Sequence, residues 1–231
     1  MISIENLSKS FGPRTLWSEV NLTIRPEEML ALVGPSGTGK STLLNCLGLL
    51  ETTDSGRILV DGHDITRLSI SARRRFRRDN LGYLFQNYAL IDNATIAANL
   101  DVATDAGRLR PAGRRAGHHE ALERVGLAGR EKEKVHYLSG GEQQRVALAR
   151  LIVKKPSLVL ADEPTGALDK DNTALVVDVL RDLSHTGCAV VIATHQDHVR
   201  DSCDTAFAVD TGHLTHTTLP EVNVGNGSHR Q

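Results

Sequence analysis

The sequence predicts an α/β protein: a mainly parallel sheet, preceded by an antiparallel β-subdomain and interrupted by a helical insertion. Three observations predict it. The run Met29–Val33 is apolar enough for a buried strand, and a glycine-rich turn carries it into a helix that begins near Lys40. Ser157–Ala161 and Cys188–Ala193 are near-continuous apolar runs, as parallel strands covered on both faces are. Residues 87–155 carry helix-like periods with Gly/Arg-rich breaks at Ala106-Gly107-Arg108 and Pro111-Ala112-Gly113.

From the start of the chain, Ile2–Leu7 and Val20–Ile24 alternate apolar and polar residues, the pattern of half-exposed antiparallel strands. Ser10-Phe11-Gly12-Pro13 reads as the turn between them. Phe11 is either a plain hydrophobic anchor or an aromatic placed to stack on an adenine ring.

The turn after Val33 is Gly34-Pro35-Ser36-Gly37-Thr38-Gly39-Lys40-Ser41-Thr42, a G-x-x-x-x-G-K-[ST] match set between strand and helix. Its glycines let successive backbone N–H groups point inward, and the helix adds its positive end, so the pocket suits a polyphosphate. Lys40 is placed to reach β- and γ-phosphates, and the Ser41 hydroxyl to ligate Mg²⁺. This is a P-loop NTPase core, and it implies a bound nucleotide.

Thr53-Asp54-Ser55-Gly56 is a turn before the strand Arg57–Val60, which Asp61-Gly62 closes. The run Arg73–Arg78 is a solvated helix face, or a contact with anionic lipid or the cytoplasmic loops of a membrane partner. Leu81–Phe85 is a further buried strand ending at Gln86, whose amide can coordinate Mg²⁺ and water or merely cap a loop.

Leu138-Ser139-Gly140-Gly141-Glu142 is a short turn opening a helix, and its N-terminus makes a second anion-binding nest. If the two phosphate-binding surfaces belong to one nucleotide but cannot reach it together within one chain, two chains must meet head to tail around it. Asp162 and Glu163 end the strand that begins at Leu158, at the carboxyl end where ligands bind in parallel sheets. Asp162 is suited to hold Mg²⁺, and Glu163 to polarise a water for in-line attack. His195 follows the strand ending at Ala193 and is either structural or close to the γ-phosphate. A helix over about Asn172–Ser184 makes the crossover between these two strands.

Composition narrows the classes. With 27 Lys+Arg against 28 Asp+Glu there is no charge imbalance to argue for nucleic acid. Cys46, Cys188 and Cys203 are far apart and read as small apolar residues of a reduced cytoplasmic protein. No apolar run approaches the roughly 18 residues of a membrane span, and the start lacks a signal-peptide pattern. Membrane association is therefore expected through a partner.

Taken together the motifs resemble the nucleotide-binding subunit of ATP-binding cassette (ABC) transporters over about residues 1–216. Gly34–Ser41 looks like the Walker A loop, Leu138–Glu142 like the signature, and Leu158–Asp162 like Walker B. Glu163 looks like the catalytic glutamate, Gln86 like the Q-loop, His195 like the switch histidine and Ala167-Leu168-Asp169 like the D-loop. Phe11 occupies the adenine-stacking position, where Tyr is commoner, and Gly166 stands where a Ser often precedes the D-loop Ala.

The resemblance implies the ABC ATPase fold. It implies a RecA-like core with its β-subdomain over 1–86 and 156–216 and a helical signature subdomain over 87–155; the polar ending Gly225–Gln231 separately predicts a disordered tail over 217–231. It implies two ATP molecules, with Mg²⁺, sandwiched in a dimer, each contacted in trans by Ser139, Gly140, Gly141 and Glu142. An integral membrane permease is the implied partner, which puts the chain at the cytoplasmic face of the membrane.

Residues 161–169 look like the branch serving macrolide export, lipoprotein release and antimicrobial-peptide export. Residues 85–93 are similar to ATPases of bacteriocin exporters of the lactococcin 972 group. The alternative within the family is an ATPase that drives a membrane partner for signalling or cell-envelope regulation without moving a substrate. A soluble ABC ATPase acting on DNA or ribosomes fits less well, because there is one Walker A and no heptad run.

Overall fold

The computed structural model describes residues 1–103, 111–166, 170–210 and 213–217. Strands β1 (Ile2–Phe11) and β2 (Arg14–Ile24) form the expected antiparallel pair, and their burial alternates along the chain as the sequence pattern does. The turn between them is tighter than the four residues expected. Only Gly12 and Pro13 lie outside the strands, because Gly12 at φ 57° makes the reversal on its own. Phe11 therefore closes a strand rather than sitting in a loop.

Strands β4 (Ser55–Val60) and β5 (His63–Asp64) complete a four-stranded antiparallel sheet of order β2-β1-β4-β5. Met1, Asp61 and the turn at Gly62 close its edge, with the terminal ammonium 2.7 Å from the Asp61 carboxylate.

The second sheet has the order β10-β9-β3-β8-β7-β6. Its members are β3 (Met29–Val33), β6 (Leu81–Leu84), β7 (Leu158–Asp162), β8 (Ala189–Ala193), β9 (Thr205–Asp210) and β10 (His213–Thr217). All pair in parallel except β10, which runs antiparallel to β9 at the edge. Strand β8 lies directly beside β3, while β7 lies one strand further out.

Period-two alternation explains why this sheet has two cores. Met29, Ala31, Val159, Val190 and Ile192 face one layer, which includes α5 (Gly140–Lys154) and α6 (Lys170–His185). Leu30, Leu32, Leu158, Leu160 and Val191 face the other, with α1 (Lys40–Leu47) and the antiparallel sheet. Each strand is apolar throughout because each of its faces is covered.

Helix α2 (Ile70–Asn80) carries the basic run and has no fully buried residue. Arg73 and Arg77 nevertheless have work within the chain: Arg73 donates to the carbonyls of Thr66 and Leu68, and Arg77 to that of Leu49.

Residues 87–155 hold α3 (Ile96–Ala103), α4 (Pro111–Arg124) and α5, with a short 3₁₀ turn at Val135–Tyr137. Two loops of this region are laced together. Ile96 and Ala97 N–H groups donate to the carbonyls of Glu133 and Glu131, and those of Val135 and His136 donate to Ala94 and Asp92, at 2.9–3.1 Å. The stretch that follows Gln86 and the stretch that precedes Ser139 are therefore joined by backbone hydrogen bonds.

Helix α7 (Asp197–Asp201) follows β8. No helix among the described residues is long and apolar enough to cross a membrane. Of the expected tail over 217–231, Thr217 ends β10 and the rest lies outside the described residues. The three cysteines are unpaired and buried, which pushes each thiol up to about 12.

Candidate active site

The site forms where β3, β7 and β8 end. The phosphate loop turns out of β3 with Gly34 at φ 144° and Gly39 at φ 99°. A Cβ on Gly34 would stand 2.3 Å from the Val209 carbonyl oxygen, and one on Gly39 would stand 2.8 Å from Trp17 Nε1. Glycine is required at both positions by crowding as well as by dihedral.

Trp17 is fully buried beneath the loop and donates to the Gly39 carbonyl at 3.4 Å. Arg14 donates to the Gly37 carbonyl at 2.7 Å, and the Thr38 hydroxyl to the Pro35 carbonyl at 3.0 Å. The loop is therefore held in shape from outside by Arg14 and Trp17 and from within by Thr38.

Lys40 is buried, and its ammonium donates to the carbonyls of Gly34 (2.7 Å) and Pro35 (3.1 Å). These contacts hold the charge over the loop, where a phosphate would replace the carbonyls.

Ser41 opens α1 and its hydroxyl donates to Asp162 Oδ1 at 2.9 Å. Strand β7 is one place removed from β3, yet Ser41 reaches Asp162 because α1 packs across β7 and β8. Burial, the largest influence, raises the Asp162 carboxyl above its usual range; the Ser41 hydroxyl opposes the rise, Glu163 adds to it and Lys40 opposes it. Two hard oxygen donors beside a phosphate cradle are the donor set a small divalent cation prefers.

Glu163 has φ 46°, left-handed for a residue with a side chain, and its N–H donates to the Ala193 carbonyl at 2.9 Å. Such backbone costs on the order of 1–3 kcal/mol and persists where neighbours over-determine it. Here it turns the carboxylate toward His195, whose Nδ1 lies 2.8 Å from Glu163 Oε2. The His195 side chain is 63% exposed and that of Glu163 is 19%. A half-buried acid thus faces the cleft with an accessible imidazole as its partner.

One open cleft of about 480 Å³ gathers Phe11, Ser36, Gly37, Gly39, Lys40, Ser41, Thr42, Gln86, Glu163 and His195, together with Leu16 and Gly166. Phe11 is 51% exposed, and Lys9 Nζ sits 4.8 Å from its ring centroid. Lys9 is in turn tied to Glu51 and to the Thr52 carbonyl, so the ring has a fixed cation at one side.

Ser139, Gly140, Gly141 and Glu142 are not among the residues lining this cleft. Ser139 caps α5 in a reciprocal box: the Glu142 N–H donates to the Ser139 hydroxyl at 3.3 Å, and the Ser139 N–H donates to Glu142 Oε2 at 2.8 Å. Glu142 also pairs with Arg130, and this ion pair, with the Ser139 N–H and hydroxyl, holds its carboxyl down to about 2. Its carboxylate is thus committed to the cap. The sequence pattern placed Glu142 against a nucleotide and gave no sign of Arg130.

Sequence reasoning also missed Arg14, Trp17 and Gln144. Gln144 is buried, and its amide donates to the Pro164 carbonyl at 2.9 Å, linking α5 to the turn after Glu163. That turn is fastened further by Thr165 Oγ1, 2.6 Å from Gln196 Oε1. Asp169, the D-loop residue, lies outside the described residues.

The family model described as "ABC transporter" matches residues 17–166. Methionine import ATP-binding protein MetN 2 of Yersinia pestis bv. Antiqua is 40% identical over 223 residues, covering 94% of this chain and 68% of that protein. Lipoprotein-releasing system ATP-binding protein LolD of Pseudoalteromonas translucida is 39% identical over 220 residues, covering 93% of this chain and 95% of the relative. The dimeric structure of MJ0796, a bacterial ABC transporter cassette, superimposes with a TM-score of 0.87 at 31% identity, covering 95% of this chain and 99% of that one. The same cassette in a post-hydrolysis state bound to ADP and Pi gives 0.85.

Proposed function

This chain belongs to the ABC transporter family and is an ATP hydrolase, and we propose that it energises export of a peptide, a bacteriocin or another amphipathic substrate through a separate membrane permease. The observation that carries the reading is the division of the site. One cleft holds the phosphate loop, Gln86, Glu163 and His195, while the Ser139 helix end lies outside it.

A second copy facing head to tail would bring its Ser139, Gly140 and Gly141 to the nucleotide that this copy's Lys40 and Ser41 hold. That requirement makes closure depend on ATP and opening depend on its hydrolysis. The cassette it resembles has a dimeric structure, which supports a two-copy assembly.

Within the cleft, Phe11 stacks on adenine, the backbone N–H groups of residues 36–42 cradle the phosphates, and Lys40 exchanges two carbonyls for phosphate oxygens. Ser41, Asp162 and Gln86 would hold Mg²⁺, which offsets phosphate charge. Glu163 orients the attacking water and takes its proton, and His195 holds the Glu163 carboxylate in place. Asp169 is assigned to the contact between copies. Residues 1–86 and 156–216 serve as the ATPase core and 87–155 as the signature subdomain.

Coupling is assigned to the stretch from Gln86 to about Leu100. Arg150 fastens it through the carbonyls of Tyr88 (2.9 Å) and Ala89 (2.6 Å). Beside it a groove of about 290 Å³, lined by Leu50, Arg77, Phe85 and Val102 among others, suits a cytoplasmic segment of the permease. The chain would then be peripheral, on the cytoplasmic face, with no nucleic acid involved.

Export is favoured by residues 85–93 and 161–169, although an importer's ATPase matches as well as a lipoprotein-release one does. The test is a pull-down of tagged Glu163→Gln chain with ATP from detergent-solubilised membranes, followed by transport assays with the recovered permease in vesicles. Recovery of a polytopic permease and outward, ATP-dependent movement of a peptide is the expected result. Ribosomes or DNA in the eluate, or inward transport, would overturn it.

A further inference from the structure

Ser139 has a conflict to resolve. Its hydroxyl accepts from the Glu142 N–H at 3.3 Å and donates to Glu142 Oε2 at 2.8 Å. A hydroxyl carries one proton, so the proton given to the carboxylate is not available to an anion. The same carboxylate puts a negative charge in the first turn of α5, where a phosphate would have to approach.

Arg130 addresses the second problem. Its Nη1 pairs with Glu142 Oε1 while its Nε donates to Glu133 Oε2 at 2.6 Å, so the guanidinium is clamped between two carboxylates. The loop that carries it is anchored too: the Glu133 N–H donates to the Arg130 carbonyl at 3.0 Å, and the Ile96 N–H to the Glu133 carbonyl at 2.9 Å. No motif in the sequence marks this arginine, which lies 12 residues before its partner.

We propose that Arg130 is a positioning residue for the nucleotide bound by a second copy. It neutralises Glu142 and holds that carboxylate in the cap, so that the Gly140 and Gly141 N–H groups can take a phosphate. The inference rests on the head-to-tail dimer proposed above. Arg130 touches no nucleotide itself; it acts through Glu142 and Ser139.

The experiment uses the full chain carrying Glu163→Gln and reads the ATP concentration that half-converts monomer to dimer, by light scattering. Binding of a fluorescent ATP analogue to dilute monomer is read in parallel. Arg130→Met is expected to raise the dimerisation midpoint about tenfold or more, with monomer binding unchanged. Adding Glu142→Gln to Arg130→Met removes the uncompensated charge and should bring the midpoint back to within about threefold. Arg130→Lys, which keeps the charge, should stay within the same range.

An Arg130→Met defect that Glu142→Gln leaves intact would make Arg130 merely structural and overturn the proposal. Failure of Arg130→Lys, which keeps the charge, would do the same, and that variant still decides if Arg130→Met alone unfolds. If the Glu163→Gln chain does not dimerise with ATP at all, the head-to-tail reading falls, and this inference with it.

Discussion

His195 Nδ1 lies 2.8 Å from Glu163 Oε2, and the two residues come from the ends of adjacent parallel strands. The contact fixes the orientation of an acid that faces the phosphate cleft. Glu163→Gln should bind ATP normally but lose about 10²–10⁴-fold in hydrolysis, the usual contribution of a general base. His195→Ala should lose up to about 10²-fold through misplacement alone, with ATP affinity retained. Steady-state phosphate release measures both, and normal turnover by Glu163→Gln would remove it as the base.

Lys40 holds its charge over the loop by contacts that a phosphate can replace. Lys40→Ala should weaken ATP by about 1.5–3 kcal/mol, roughly ten- to a hundredfold, the worth of a charge-assisted contact. AMP, which has no β- or γ-phosphate for Lys40 to reach, should bind as before. Calorimetric titration of both nucleotides tests the assignment, and unchanged ATP affinity would refute it.

Gln144 is buried on α5 and satisfies the Pro164 carbonyl. Gln144→Leu keeps the side-chain bulk and leaves that carbonyl without its donor. The expected cost is about 1–3 kcal/mol in urea unfolding. Because the bond ties α5 to the turn after Glu163, turnover should fall as well. Stability equal to the parent chain would show that water replaces the amide.

What could be read from the sequence divides along a physical line. Period-two alternation in β1 and β2 is local, and so are the apolar runs of β7 and β8 and the Gly34–Thr42 turn; the structure has each of them, though β1 continues past Leu7 to Phe11 and β2 begins at Arg14 rather than Val20. The order of strands is not local, and the sequence did not place β7 one strand away from β3. The same holds for Trp17 beneath Gly39 and Gln144 against Pro164, since each partnership joins residues whose nearness only the fold creates. Glu142 is a different case. Its spacing from Ser139 matches both a capping box and a nucleotide contact, and only the Arg130 ion pair shows where its carboxylate is committed.

That commitment predicts a pH dependence. Glu142 is held at about 2 against an ordinary value of 4.5, first by Arg130 and then by the Ser139 N–H and hydroxyl. The folded-state value is the lower one, so the stabilisation is fully present above about 4.5 and is lost as pH falls toward about 2. Glu142→Gln keeps an oxygen for the Ser139 N–H but loses the ion pair. Urea midpoints of the two chains should therefore differ by a constant amount from pH 7 to about 5, and the gap should close below that. Other carboxylates titrate in the same window, but they do so in both chains and cancel in the difference, apart from Glu133, which shares Arg130 with Glu142. A gap that stays constant down to pH 2.5 would mean that Glu142 gains nothing from being ionised in the cap.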